Sequence, residues 1–410
     1  MKTTSHTPAY LSNLTPLRGI AALLTVIFHV DLMLGNGGDL LLRVKDSMLV
    51  SRLYLMVDLF FILSGFVMSH VYDRWFDGGV QQTDFKRFTV ARFARVYPLH
   101  LAMLLVVALI FGVSAWVGIP ENAILQTENS PYSFVTNLLL LQAMNLHNWF
   151  SWDHAAWSIS AEWWMYMLFP FLVRPFGRLS SSGRVAVVVG CFLGYAGITR
   201  FILPLVTYPA SLPFIHYNPT DNTINVGYQF GFLRCLFGFV LGMMMHLGYN
   251  DGWGKSWLGN GYVLLALVLG LSIGMHLAIP DVFTVCFLPL LLLSAAYGNK
   301  RTDSLFGSRP LQRLGDWSFS IYLVHQPLLF AIGSVLAYGS LGKPALPGPP
   351  PRPDMLTGWL MCLAFIALTL LVASLTYRFI EVPARHALNA RFRERVSMPE
   401  AVDRLQTKSA

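Results

Sequence analysis

The chain has 410 residues, of which 29 are Lys or Arg and 21 are Asp or Glu, for a net charge of +8. Charged residues make up 12% and apolar residues 55%, with a mean hydropathy of +0.53, against about 25% charged in an ordinary soluble domain. That balance excludes a water-soluble globule, which needs more polar surface, and excludes disorder, which needs low hydrophobicity.

At about 20 residues per crossing the apolar content furnishes about ten membrane spans. The expected fold class is therefore all-α, a polytopic membrane protein. Residues 1–13 are polar with a single Lys, and the apolar run after them contains Arg18. This is a poor signal peptide, so the first run is expected to stay in the protein. The apolar runs and their breakers place spans at about 14–35, 52–72, 96–119, 157–175, 184–204, 227–248, 258–279, 281–298, 316–338 and 355–379. The run 132–144 is too short to cross and lies at the interface or re-enters. Between the last two spans, 342–353 is a stiff Pro-rich loop. Cys191, Cys235, Cys286 and Cys362 all lie in apolar runs without metal-ligand spacing, so neither a disulfide framework nor a metal site is expected.

Basic residues orient the chain. Arg74, Lys86, Arg87, Arg92 and Arg95 fall between spans two and three, and Arg174, Arg178 and Arg184 flank the next even-to-odd junction. Lys300, Arg301, Arg309 and Arg313 lie between spans eight and nine, and the tail adds Arg378, Arg385, Arg391, Arg393, Arg395, Arg404 and Lys408. On the other side, 120–156 and 201–226 contain no Lys or Arg, and the remaining loops hold only Arg43, Lys45, Arg52, Lys343 and Arg352. The asymmetry puts both termini in the cytoplasm. It reads the net charge as topology and anionic-lipid contact rather than nucleic-acid binding, with 387–410 a basic cytoplasmic tail.

An ionisable residue inside a span is costly and marks a candidate site. Arg18 and His29 are 11 residues apart, about 20° past three helical turns, so they share a face roughly 16 Å apart along the axis. Asp58 lies about two turns into the second span and Glu162 one to two turns into the fourth, which brings His29, Asp58 and Glu162 to a similar depth in the outer half. Carboxylates there would orient the imidazole or serve as acid or base; a structural polar network is the alternative. Arg234, about two turns into span six, pairs with one of those carboxylates or steadies an oxyanion, with pairing preferred. Tyr322 and His325, at i and i+3, share a face expected nearer the cytoplasmic half, lining a channel or packing. Arg92 and Arg95 are neighbours on a short helix that Pro98 ends or bends; they are either the topology signal or a phosphate clamp.

These segments resemble one family. LTPLRGIAALLTVIFHV, VDLFFILSGFVMS, RFARVYPLH, WSISAEWWMYMLFP, GDWSFSIYLVHQP and YRFIEVPAR occur in order over about residues 10–386 and are similar to the motifs of the membrane acyltransferase-3 family. The lead-in Thr15-Pro16 departs from the Asp or Ser-Gly style common there. The resemblance implies O-acylation, usually acetylation, of an extracytoplasmic glycan or lipid-linked saccharide, with cytoplasmic acyl-CoA as donor. It implies that His29 is the essential histidine and Arg18 the first-span arginine, that Arg92 and Arg95 handle acyl-CoA, and that Asp58 and Glu162 are the acidic positions. Residues 1–386 are then the acyltransferase domain in a bacterial cytoplasmic (inner) membrane. Some members carry an extra periplasmic esterase-like domain, which is not expected within this chain.

The competing class is a proton-coupled small-solute transporter, which ten spans and buried charges would also serve. Against it, no repeat relates the halves and the charges cluster in the outer half. A scaffold leaves three ionisable residues at one depth unexplained. Trp149 and Trp152, in the base-free outer segment, could stack on sugar rings, although interfacial aromatic belts are commoner.

Overall fold

A computed structural model describes residues 11–35, 38–119, 128–206, 222–341 and 353–395. The Pro-rich stretch 342–352, the end of the tail (396–410) and parts of both base-free segments (120–127 and 207–221) lie outside the described residues. Among the described residues the structure is all-helical, as the bilayer requires of backbone that must satisfy its own hydrogen bonds. The principal helices are α1 (Leu14–Leu34), α2 (Met56–Tyr72), α3 (Gln82–Trp116), α4 (Pro131–Leu138), α5 (Trp157–Gly177), α6 (Ser181–Gly197), α7 (Gly231–Asn250), α8 (Gly261–His276), α9 (Phe287–Tyr297), α10 (Lys300–Phe306), α11 (Arg309–Asp316), α12 (Ser318–Ser340), α13 (Met355–Thr376) and α14 (Val382–Arg395).

A helix stands at each place where a span was expected, but among the described residues seven are, by length and composition, long and apolar enough to cross a membrane. An eighth is reached if the bent pair Asp281–Tyr297 and Lys300–Phe306, with 95° between its halves, is one span. α8 is a shorter apolar helix, and α5 carries Ser158, Ser160, Glu162 and Arg174 within its 21 residues. The run 132–144 forms only the eight-residue α4, opened by a Ser130–Ser133 capping box with Pro131 at its first turn.

Pro98 neither ends nor separates a helix: α3 runs unbroken for 35 residues with Pro98 inside it. Arg92, Arg95 and the apolar run therefore lie on one rod. Packing against α5 and α12 holds it helical, overriding the backbone bond lost at proline.

Two glycine contacts set the registers that matter for the site. α2 and α7 form the most extensive helix pair; Gly65 faces the Phe239 backbone, while Gly238 and Gly242 face Phe61 and the Ile62 carbonyl. The spacing Gly238–x3–Gly242 is the small-residue pattern that lets membrane helices meet at backbone distance, and the sequence reading did not use it. On α1, a Cβ at Gly19 would sit 2.6 Å from the Leu314 carbonyl carbon, and Gly315 in turn faces Thr15. We expect Gly242→Ala to cost about 1–3 kcal/mol in detergent thermal denaturation, the range for overpacking, while Gly112→Ala, with nothing within 4 Å, leaves the melt unchanged. Equal melts for the two would show that backbone contact is not what joins α2 to α7.

Candidate active site

His29 is held by its own helix. Its Nδ1 lies 2.9 Å from the Thr25 carbonyl, and the Thr25 hydroxyl donates to Ala21 O at 2.9 Å. His325 Nε2 sits 3.2 Å from the same Nδ1, with ring centroids 4.8 Å apart. The tautomer that satisfies both contacts puts the proton on His29 Nδ1, shared between Thr25 O and His325 Nε2. His29 Nε2 then keeps a bare lone pair and makes no hydrogen bond.

The sequence placed Tyr322 and His325 nearer the cytoplasm; the structure puts His325 level with His29. The reason is the glycine contact: His29 lies ten residues after Gly19 and His325 ten residues after Gly315. Counting depth from the start of α12 omits α11, which packs on α1 below it. The Tyr322 hydroxyl, one turn before His325, meets Ser158 Oγ at 2.7 Å and donates to Ala155 O at 3.2 Å.

No carboxylate orients the His29 ring. Asp58 instead holds Arg234: Nε reaches Asp58 Oδ1 at 3.0 Å and Nη2 reaches Oδ2 at 2.6 Å, with both side chains fully buried. The remaining guanidinium donors go to Asn225 Oδ1 (3.1 Å), Val226 O (3.3 Å) and Tyr54 O (3.1 Å). All five N–H groups of Arg234 are thereby engaged, leaving none for an oxyanion. Of the two roles read from sequence, the geometry is that of pairing. Beside this pair, Asp281 takes Arg52 at 2.9 Å, Tyr54 at 2.6 Å and the Ile224 N–H at 2.9 Å.

Glu162 accepts from Tyr166 at 2.6 Å and from Ser64. It lines a cavity of about 90 Å³ whose wall also includes Arg18, Arg92, Arg95, Ser158 and Tyr322. The cavity thus runs between the arginines and Tyr322, the residue one turn from His325. Arg92 donates to Tyr72 OH at 2.7 Å and lies over its ring at 5.0 Å. Arg95 pairs with Glu381, which accepts from Ser320 at 2.8 Å. Arg18, Arg92 and Arg385 all act electrostatically on Arg95, so four guanidinium groups converge where a polyanion would be stabilised.

The sequence reading assigns Arg385 only to topology and gives Glu381 no role beyond its place in YRFIEVPAR; a carboxylate two residues before Pro383 at the end of an apolar run is the signal for it. For Trp149 and Trp152 the sequence offers an interfacial aromatic belt, the commoner case, or stacking on sugar rings. Here Trp149 is buried against Phe150 and Tyr228, with centroids 5.1 and 5.2 Å away, and Trp152 Nε1 donates to Ser133 Oγ at 3.0 Å.

An all-helical chain with membrane-crossing helices, a histidine pair inside the bundle and a cavity walled by arginines defines an integral membrane protein built to do polar chemistry out of water. A family profile described as an acyltransferase domain matches residues 12–378. The chain belongs to the acyltransferase-3 family and is an integral membrane acyltransferase that moves groups other than aminoacyl. It is 28% identical over 403 residues to acyltransferase MdmB of Streptomyces mycarofaciens, covering 93% of each chain. It is 32% identical over 154 residues to protein 2 in the picA locus of Rhizobium radiobacter, covering 36% of this chain and 73% of that one. It is also 23% identical to O-acetyltransferase OatA of Staphylococcus aureus, covering 93% of this chain and 58% of OatA. No solved structure matches. The membership favours an enzyme over the permease.

Proposed function

We propose that the protein O-acylates, in the usual case O-acetylates, a hydroxyl of an extracytoplasmic glycan or lipid-linked saccharide, taking the acyl group from cytoplasmic acyl-CoA. The single observation behind this is the bare Nε2 of His29, its Nδ1 pinned by Thr25 O and His325, beyond an arginine-walled cavity. The OatA likeness supports O-acetylation, and the one-sided basic residues support ten crossings with both termini in the cytoplasm of a bacterial inner membrane. Residues 1–386 are the transferase domain and 387–410 a basic tail on anionic lipid.

Arg18, Arg92 and Arg95 hold the phosphorylated head of the donor at the inner mouth. The acceptor hydroxyl gives its proton to His29 Nε2 as its oxygen attacks the thioester carbonyl carbon. The Tyr322 hydroxyl, on the cavity wall, turns from Ala155 O to donate to the oxyanion. The C–S bond then breaks, the ester leaves outward, and the proton passes from His29 to the departing thiolate. Glu162 and Asp58 act as wall and scaffold in this scheme. Without a carboxylate to orient His29, the proton transfer rests on the histidine pair.

Reconstituted protein incubated with acetyl-CoA tests this: free CoA and an ester on the acceptor are expected. Solute uptake without CoA release would return the reading to a permease. Arg95→Lys keeps the charge but loses the planar fork; we expect the acetyl-CoA KM to rise about tenfold, or about 1.4 kcal/mol, with kcat little changed. A donor KM equal to wild type would remove Arg95 from the donor site.

A further inference from the structure

The segment leading into α5 passes over the histidine pair. Residues 154–156 pack on α12, the His154 ring lies 5.0 Å from that of Phe330, and Ala155 O takes the Tyr322 hydroxyl. His154 is close enough to His29 for the two charges to interact, and both residues are half-buried. Asp153 precedes them, 2% exposed.

Every other fully buried carboxylate among the described residues is matched. Asp58 has Arg234, Asp281 has Arg52 and Glu381 has Arg95, while Asp31 takes the Leu40 and Leu41 N–H groups at 3.0 and 2.7 Å. Neither oxygen of Asp153 has a hydrogen-bond partner, and neither does His154 Nε2. The Ala155 N–H points toward the carboxyl without closing a bond. Burial pushes this carboxyl up to about 8. The residue before it, Trp152, is held at φ 53, a left-handed conformation that a tryptophan adopts only under constraint. A bare buried acceptor destabilises a fold, and its position next to His154, the neighbour of His29, points to a ligand that supplies the missing donors.

We propose that Asp153 and His154 form the acceptor subsite: the Asp153 carboxyl accepts a hydrogen bond from the hydroxyl next to the one being acylated, so the site selects vicinal diols of the kind found on sugar rings. The subsite rests on the reading of His29 as base. Two bare oxygens and one bare ring nitrogen within a short segment suit a polyol better than a mono-alcohol, because each extra hydroxyl finds a partner there.

The test uses the full chain in phospholipid nanodiscs with acetyl-CoA and methyl glucoside, galactoside and mannoside as acceptors, following free CoA and the ester by mass spectrometry. At about pH 9, where the carboxyl is ionised and accepts a charge-assisted hydrogen bond stronger than an amide oxygen can, Asp153→Asn is expected to raise the glycoside KM about tenfold, while the acetyl-CoA KM and CoA release to water stay unchanged. Monodeoxy glycosides lose the same factor with wild type and nothing further with the variant. Asp153→Asn should also melt higher than wild type. A carboxyl raised from 3.8 to about 8 on folding weakens the fold as pH rises through that window, so the gap widens from pH 5 to pH 8. A higher melt together with a raised acceptor KM separates recognition from misfolding. An unchanged acceptor KM, a parallel fall in CoA release to water, or a wild-type protein that acylates none of the three glycosides overturns the subsite. If His29→Ala transfers normally while Asp153→Asn still raises the acceptor KM, the base reading fails and the subsite stands.

Discussion

Replacing His29 by alanine is expected to slow acyl transfer by about 10²- to 10⁴-fold, the contribution of a positioned general base. The helix should tolerate the change, since His29 is only half-buried and its one backbone contact is with its own preceding turn. Donor KM is therefore expected to stay near wild type, the pattern of an interaction made only in the transition state. His325→Gln is the informative companion. It removes the ring that shares the Nδ1 proton but not the Thr25 contact that holds the tautomer, so a smaller loss of about tenfold is expected. CoA release and ester formation in membranes carrying each variant measure both effects. Normal transfer by His29→Ala would end the base mechanism. Equal, large losses from both variants would mean that the two rings act as one unit.

Arg234→Met is expected to cost about 3–5 kcal/mol, the penalty for stranding one partner of a buried ion pair. Asp58 would remain in a fully buried site, with only the Tyr195 hydroxyl at 3.3 Å left as a donor. Asn225, Val226 O and Tyr54 O would also lose their donors, loosening the segments that lead into α2 and α7. The double replacement Asp58→Leu with Arg234→Met should recover much of the loss, because apolar groups of similar size often match a buried pair. Thermal melts in detergent with yields of folded protein test the cycle. A wild-type melt for Arg234→Met would show that the pair does not hold the bundle, and would reopen a chemical role for Arg234.

Much of the molecule was legible in the chain itself. The helices lie where the apolar runs placed them because each span closes its hydrogen bonds within itself, so local composition decides it. The ionisable residues were conspicuous for the same reason: few charges are available, and those inside a span stand out. Arg18 and His29 share a helix, so simple helical geometry placed them.

Partner choice was not legible. Arg234 was expected to pair with one of the carboxylates, with no choice made between Asp58 and Glu162, and the fold gives it Asp58, across 176 positions of sequence. His325 was expected at another depth and meets His29 because Gly19 and Gly315 set the register. Arg95 finds Glu381 across 286 positions. Asp153 gave no signal, since one acid in a polar loop reads as solvated until the fold buries it and leaves it bare.

By itself, then, the sequence determined that the chain is a helical membrane protein of the acyltransferase-3 family, with an arginine and a histidine on one face of its first helix. Both follow from properties local to a segment, the exclusion of unpaired backbone from lipid and the periodicity of a helix. Only the tertiary structure decided which charge neutralises which, and which group touches the histidine. Those contacts depend on how far one helix slides past another before backbone meets backbone at a glycine, and no single segment carries that information.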